Sequence, residues 1–452
     1  MPAPSLVMQT VYAELLERCA SAAFGESFPT DGAFVPKTIT GRRYWYFQLP
    51  SDKGRAQRYV GPETPELLER IARHKDSRHD ERERRTLVST LVRSFGIPRP
   101  IPEIGSIVAA LAKAGVFRLR GVLVGTVAYQ TYSAMLGVKL PNPILQTDDV
   151  DIAQFKNVSV AIEDQTPPVL DILKETDKTF RPIPHVGGEG HVTTYAAKGG
   201  LRVDFLTPNE GPDTDRPQRL PAFQTDAQPL RFLDYLIYEP QPAVVLYDAG
   251  IYVNVPAPER YAIHKLIVSR RRREVAVKRD KDLQQAEALL DVLAQKRSHE
   301  LKSAWTEAIE RGPSWRQLVF EGITMVAADS RDTTLKVVDV RRSMLPGIEL
   351  TFRNPPPRWD FDRHVMTFSG EALGNPVHCE ISRETLVDHF GAHGLDQRGR
   401  IEKFIEYRST IEGMARVKYL FWPIEDPGRV LIRTEEVPKL LKQHKAAVDR
   451  AI

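Results

Sequence analysis

Three aspartates stand where strand geometry can gather carboxylates on one surface. In Thr147-Asp148-Asp149-Val150-Asp151-Ile152-Ala153, Val150 and Ile152 alternate with Asp149 and Asp151. In an extended strand both carboxylates then project from one face while the apolar pair faces a core. Two anions held that close repel each other and are tolerated where a cation or a strong donor compensates. A third carboxylate, Asp204, lies in Leu201-Arg202-Val203-Asp204-Phe205-Leu206, where Leu201, Val203 and Phe205 take the opposite face. Hard oxygen donors of this kind suit Mg²⁺, or Mn²⁺ in its place. Three of them suit a pair of ions bridging an attacking hydroxyl and a triphosphate.

A second feature precedes them. VLVGT reads as a buried strand running into a helix, with Gly125 and Thr126 at the junction. A glycine there lets the backbone turn tightly and lets a ligand approach it closely. Thr126 adds a hydroxyl beside the unpaired N–H groups and positive dipole end of the helix, an anion site suited to the triphosphate of an NTP.

The order glycine-threonine, Asp-x-Asp, strand aspartate resembles the nucleotidyltransferase superfamily related to DNA polymerase β. Residues 28–300 look more closely like a bacterial nucleotidyltransferase-like family, through GRRYWYFQL, YVGPETPEL, VLVGTVAYQTY, TDDVDIA, LRVDFLTP, VPAPERYAIHKL and KRDKDLQQA. The resemblance implies transfer of a nucleoside monophosphate from an NTP to a hydroxyl on RNA, protein or a small molecule. It implies that Gly125 and Thr126 hold the triphosphate and that Asp149, Asp151 and Asp204 act as catalytic metal ligands. Lys265 and Lys281, on a stretch matching the part that packs over the triphosphate, are then nucleotide contacts offsetting the charge of departing pyrophosphate. A regulatory protein that binds nucleotide or nucleic acid without turnover is the alternative. WDFDRHVMTFSGEALGNPVHCEISRETLVDHFG and IEKFIEYRSTIEGMARVKYL resemble a small bacterial domain of unknown function.

The elements that must position these residues read as a mixed α+β, α/β chain. Residues 1–100 open with an amphipathic helix and continue as a β-meander rich in Tyr, Trp and Phe, with a hairpin turn at Ser51-Asp52-Lys53-Gly54 and a helix capped by Thr64. Residues 101–215 form the nucleotidyltransferase-type mixed sheet with helices, including a strand through VFRLRGVLVG. Residues 216–325 read as its helical part, 326–345 as a polar linker, and 346–452 as a small α+β domain built from a hairpin and two helices. Thr126 and Asp149 stand farther apart than is usual in the family this stretch resembles, which implies an inserted loop such as residues 138–145.

Composition bounds the rest. At 452 residues, with 42% hydrophobic and 27% charged residues, the chain has material for two to four domains. It has no apolar run long enough to span a bilayer and no secretory pattern at its start. Two cysteines, Cys19 and Cys379, make no disulfide framework, and a reducing cytoplasm is the expected setting. The net charge of +4 is small, so nucleic-acid binding rests on local clusters at residues 82–85 and 270–273. His185 and His191, around a glycine-rich turn, match no strong zinc spacing and read as a rim beside an acceptor.

Overall fold

A computed structural model describes residues 5–28, 32–39, 41–48, 57–73, 81–141, 147–161, 164–185, 190–271, 276–353 and 355–448. The hairpin turn expected at residues 51–54 and residues 142–145 of the loop expected within 138–145 lie outside them. The chain divides into two compact units, Met1–Tyr261 and Ala262–Ile452.

In the first unit, helix α1 (Leu6–Ser27) is capped by Ser5, whose hydroxyl accepts from the Met8 N–H. It is followed by strands β1 (Ala33–Ile39), β2 (Arg42–Gln48) and β3 (Gln57–Pro62), an antiparallel meander. The aromatic residues of the meander are spent on packing. Phe24, Phe28, Phe34 and Phe47 interlock with ring centroids 4.9–5.6 Å apart, and Tyr46 and Phe47 are buried. Helices α2 (Pro65–Arg73), α3 (Glu81–Ser89) and α4 (Pro102–Lys113) follow. Thr64 caps α2 as expected, accepting from the Leu67 N–H at 3.2 Å. Helix α1 is not the start of a separate domain: Tyr12, Leu15 and Cys19 share one core with Ala134, Val244 and Leu246.

The central sheet follows: β4 (Val122–Val124), α5 (Gly125–Leu136), β5 (Asp149–Ala153), α6 (Lys156–Ala161), α7 (Val169–Thr176), β6 (Arg181–Pro184), β7 (Val192–Ala196), β8 (Arg202–Pro208), β9 (Gln218–Leu220) and β10 (Thr225–Leu230). Its order is β4-β5-β8-β10-β9, with β7 also on β8 and β6 on β7. The strand expected through VFRLRGVLVG shrinks to Val122–Val124. Arg120 takes a left-handed φ of 70°, so the chain turns before the strand begins. Arg118 fixes that turn to the meander, pairing with Asp164 at 2.6 Å and donating to the Tyr59 carbonyl at 2.8 Å.

The expectation that the chain turns mainly helical from residue 216 fails over its first forty or so positions. After β9 and β10 come α8 (Leu233–Leu236) and a hairpin of β11 (Gln241–Val245) and β12 (Ile251–Val255). The β12 pattern Ile-Tyr-Val-Asn-Val alternates buried and half-buried residues, the signature of a strand covered on one face. Asn254 ties the hairpin to the sheet, donating to the carbonyls of Phe117 and Gly121 at 2.7 and 3.0 Å.

Helix α9 (Pro258–Arg271) crosses the boundary between units. The second unit continues with α10 (Ala276–Lys296), α11 (Ser298–Glu310), α12 (Pro313–Thr324) and α13 (Ala328–Val338). Then come β13 (Arg358–Asp360), β14 (Val365–Ala372), β15 (Asn375–Ser382), α14 (Arg383–Phe390), α15 (Gln397–Glu406), α16 (Arg408–Phe421), β16 (Arg429–Ile432) and α17 (Val437–Val448). Two expectations are corrected here. The hairpin β14–β15 is flanked by β13 and, in parallel, by β16, so the last domain is a sheet with helices on either side of β16 in sequence. Residues 326–345 are no linker: α13 buries Arg331, Asp332, Thr334 and Leu335. Cys379 is fully buried, and desolvation pushes its thiol up to about 12, which makes it a packing residue rather than a nucleophile.

Candidate functional site

Strand pairing assembles the acidic face. Strands β5 and β8 run parallel with Asp151 opposite Asp204 and Asp149 opposite Arg202. Neighbouring strands lie about 4.8 Å apart, so Asp151 and Asp204 stand side by side on the face that also carries Asp149. The opposite face is fully buried through Val150, Ile152, Val203 and Phe205. A register slip of one residue would bury these acids and expose that core, which fixes the alignment.

Strand β4 joins β5 antiparallel with Val124 opposite Asp151, and the chain then turns into α5 at Gly125. Gly125 has φ +67°, and a β-carbon there would sit 2.2 Å from Asp151 Oδ2. The turn and the carboxylate are therefore in direct apposition, at a position only glycine occupies without strain. No side chain caps the start of α5, where Thr126 is the second residue. Tyr261, buried against Tyr129 and Tyr132, donates its hydroxyl to the Gly125 carbonyl at 3.0 Å and holds the turn from behind.

Two side chains on this face were not anticipated. Arg202 reaches Asp149 Oδ1 at 4.0 Å and Asp204 Oδ1 at 3.5 Å. Thr194, paired with Asp204 across β7 and β8, donates its hydroxyl to Asp204 Oδ1 at 2.5 Å. Arg202 thus supplies the compensating positive charge that adjacent carboxylates need. Its signal was present two positions before Asp204, on the same strand face. Thr194 has no sequence signal, because only the β7–β8 register brings it there.

The donor chemistry and shared face suit a hard divalent ion. Still, among the described residues no three or more His, Cys, Asp or Glu are arranged to hold a metal ion, and Arg202 sits on two of the three carboxylates. His191 does not pair with His185 in a metal set. Its Nδ1 lies 3.2 Å from Asp226 Oδ2, while residues 186–189 of the intervening turn are outside the described residues.

Lys265 and Lys281 belong to the second unit. The Lys265 ammonium is held by Asp282 at 2.5 Å, with the carboxylate almost wholly buried. Lys265→Met is expected to lower stability by about 1.5–3 kcal/mol, the range for a hydrogen bond between charged groups. Urea denaturation checks this, and a loss below about 0.5 kcal/mol would mean the pair is idle. In the basic cluster, Arg270 pairs with Glu321 at 3.3 Å, and residues 272–273 lie outside the described residues. Among those residues no helix is long and apolar enough to cross a membrane.

Residues 102–310 match a family model described as a nucleotidyltransferase, and residues 350–432 match a model of a protein family of unknown function. A solved antigenic nucleotidyltransferase-like protein from Paracoccidioides brasiliensis is 15% identical, with 49% of this chain and 94% of that one covered at a TM-score of 0.25. No curated protein matches.

Proposed function

We propose, from the premise that residues 102–310 are a nucleotidyltransferase-family domain, that this domain transfers a nucleoside monophosphate from an NTP to a hydroxyl acceptor. The acceptor oxygen attacks the α-phosphorus, the bond to the β-phosphate oxygen breaks, and pyrophosphate leaves. The observation that carries this reading is the apposition of the Gly125 turn to Asp151, which itself stands beside Asp204. A triphosphate at the start of α5 then lies next to the acidic face, where N–H groups and the helix dipole favour its charge.

Asp149, Asp151 and Asp204 are the residues that would hold Mg²⁺ or Mn²⁺, and the ion would supply charge neutralisation and alignment of the phosphates. Thr194 orients the Asp204 carboxylate through its hydroxyl. Arg202 must leave Asp149 and Asp204 for all three carboxylates to act together. Both contacts are long and half-exposed, and such pairs are worth about 0–1 kcal/mol, so displacement costs little.

The test is incubation with each α-labelled NTP, Mg²⁺ or Mn²⁺ and a cell extract, scoring label on RNA, protein or small molecules. Asp151→Asn and Asp204→Asn are expected to lower transfer at least about a thousandfold, since metal stabilisation is worth several kcal/mol. Asp149→Asn should change stability by no more than about 1 kcal/mol, because its pair with Arg202 is loose and exposed. Losses of several kcal/mol in metal-free calorimetry would make these residues structural instead.

One observation favours a non-catalytic reading, a nucleotide-binding regulator. Arg202 occupies two of the acids, as it would where no metal binds. Arg202→Ala separates the two readings. An enzyme gains metal affinity by about two- to fivefold, the equivalent of losing a weak ion pair. A regulator binds no metal in either form.

A further inference from the structure

The second unit contains a cavity of about 250 Å³ whose chemistry the proposed transfer reaction does not use. Its wall carries Arg342, Arg363, Lys418, Arg429 and Arg433 with two carboxylates, Glu425 and Asp426, and behind it Asp332, Glu380 and Glu436 pair with the same cations. The remaining lining includes Tyr419, Pro423 and Ile424. Two of the cations are buried and fixed. Arg342 is gripped by Asp332 at 2.8 Å and by the Tyr419 carbonyl at 3.1 Å, and Lys418 by Glu436 at 2.6 Å.

The other three are 38–43% exposed and share carboxylates among themselves. Arg363 and Arg429 both reach Glu380 Oε1, Arg429 also reaches Asp426 at 3.4 Å, and Arg433 shares both Glu425 and Glu436 with Lys418. A carboxylate divided between two cations leaves guanidinium N–H donors over, and the Arg433–Glu425 pair, half-exposed on both sides, is cheap to redirect. A second, independent feature lies beside the wall, which Tyr419 helps to line. The Tyr419 hydroxyl is buried with no hydrogen-bond partner, and burial raises its pKa above the ordinary value, so it remains a donor at neutral pH. A buried polar group without a partner costs free energy that a bound acceptor would recover.

We propose that this cavity is a binding site for a phosphate group, free or carried on a small phosphomonoester. The exposed guanidiniums offer the forked donors that match phosphate oxygens bidentately. Glu425 and Asp426 offer acceptors to hydroxyls beside the phosphate of an ester. The volume has room for one phosphate with a small organic group.

Isothermal titration of the full chain with inorganic phosphate, ribose 5-phosphate and a nucleoside 5′-monophosphate tests the site. Saturable binding of at least one probe is expected. The Arg363→Gln/Arg429→Gln double variant should weaken it at least about tenfold, since hydrogen bonds to charged groups are the strong ones. Tyr419→Phe should weaken it about fivefold without lowering thermal stability of the ligand-free protein, because it removes an unsatisfied donor. Asp151→Asn should leave binding unchanged, which separates this site from any phosphate held at the start of α5. Equal affinity for inorganic phosphate and the esters upholds the site with free phosphate as ligand, and tighter ester binding upholds it with the ester. No binding of any probe, binding indifferent to both variants, or binding lost in Asp151→Asn would overturn the proposal.

Discussion

Gly125→Ala should lower nucleotide transfer at least about a hundredfold while leaving a folded protein, because displacing reacting groups by an ångström costs that much. Two effects act at this residue. The added methyl would meet Asp151 Oδ2 at 2.2 Å, well inside contact distance, so the carboxylate or the turn must move. The residue also has φ +67°, and a side chain in the left-handed region costs about 1–2 kcal/mol. The strain term lowers stability modestly, and the displacement term falls on the site itself. Gly125→Val adds a branched side chain where the phosphates must approach the backbone, and should abolish binding outright. Titration with a fluorescent NTP analogue in Mn²⁺, alongside thermal denaturation, reads the two effects separately. Wild-type NTP affinity in Gly125→Val would remove this turn from the nucleotide site.

Why that site was legible in sequence, and its neighbours were not, has a physical cause. Asp149, Asp151 and Asp204 declare themselves because period-two alternation with Val150, Ile152, Val203 and Phe205 assigns each a face without knowledge of any partner strand. Gly125 declares itself because a strand meeting a helix needs a residue free to turn. Arg202 and Thr194 act through registers, Asp149 opposite Arg202 and Thr194 opposite Asp204, and registers join segments far apart in the chain. Tyr261 reaches the Gly125 carbonyl from 136 residues away, and its neighbours in sequence give no hint of that bond. The fold follows the same division. Capping of α2 by Thr64 is local and was readable, whereas β11 and β12 lie among prolines and polar residues that hide their alternation.

Asp332 shows the same limit at its largest energetic cost. Residues 326–345 look solvated in sequence because they are rich in Arg, Asp, Ser and Thr. In the fold, Asp332 is 1% exposed and binds two buried guanidiniums. Arg342 donates Nε to Oδ1 at 3.2 Å and Nη2 to Oδ2 at 2.8 Å, while Arg331 donates Nε to Oδ1 at 3.3 Å. The Gly428 N–H adds a contact to Oδ2 at 3.4 Å, linking α13 to the start of β16. Asp332→Ala would leave Arg331 and Arg342 buried without their counter-ion, and removing one partner of a buried pair costs about 3–5 kcal/mol. Replacing Arg342 by Met in the same chain should recover part of that loss, because one uncompensated buried charge then disappears. Hydrogen exchange across residues 328–338 reads the effect locally, with protection collapsing in Asp332→Ala and partly returning in the double variant. Protection unchanged in the single variant would show that the guanidiniums find other partners, and that α13 is held by Leu335 and Val338 alone.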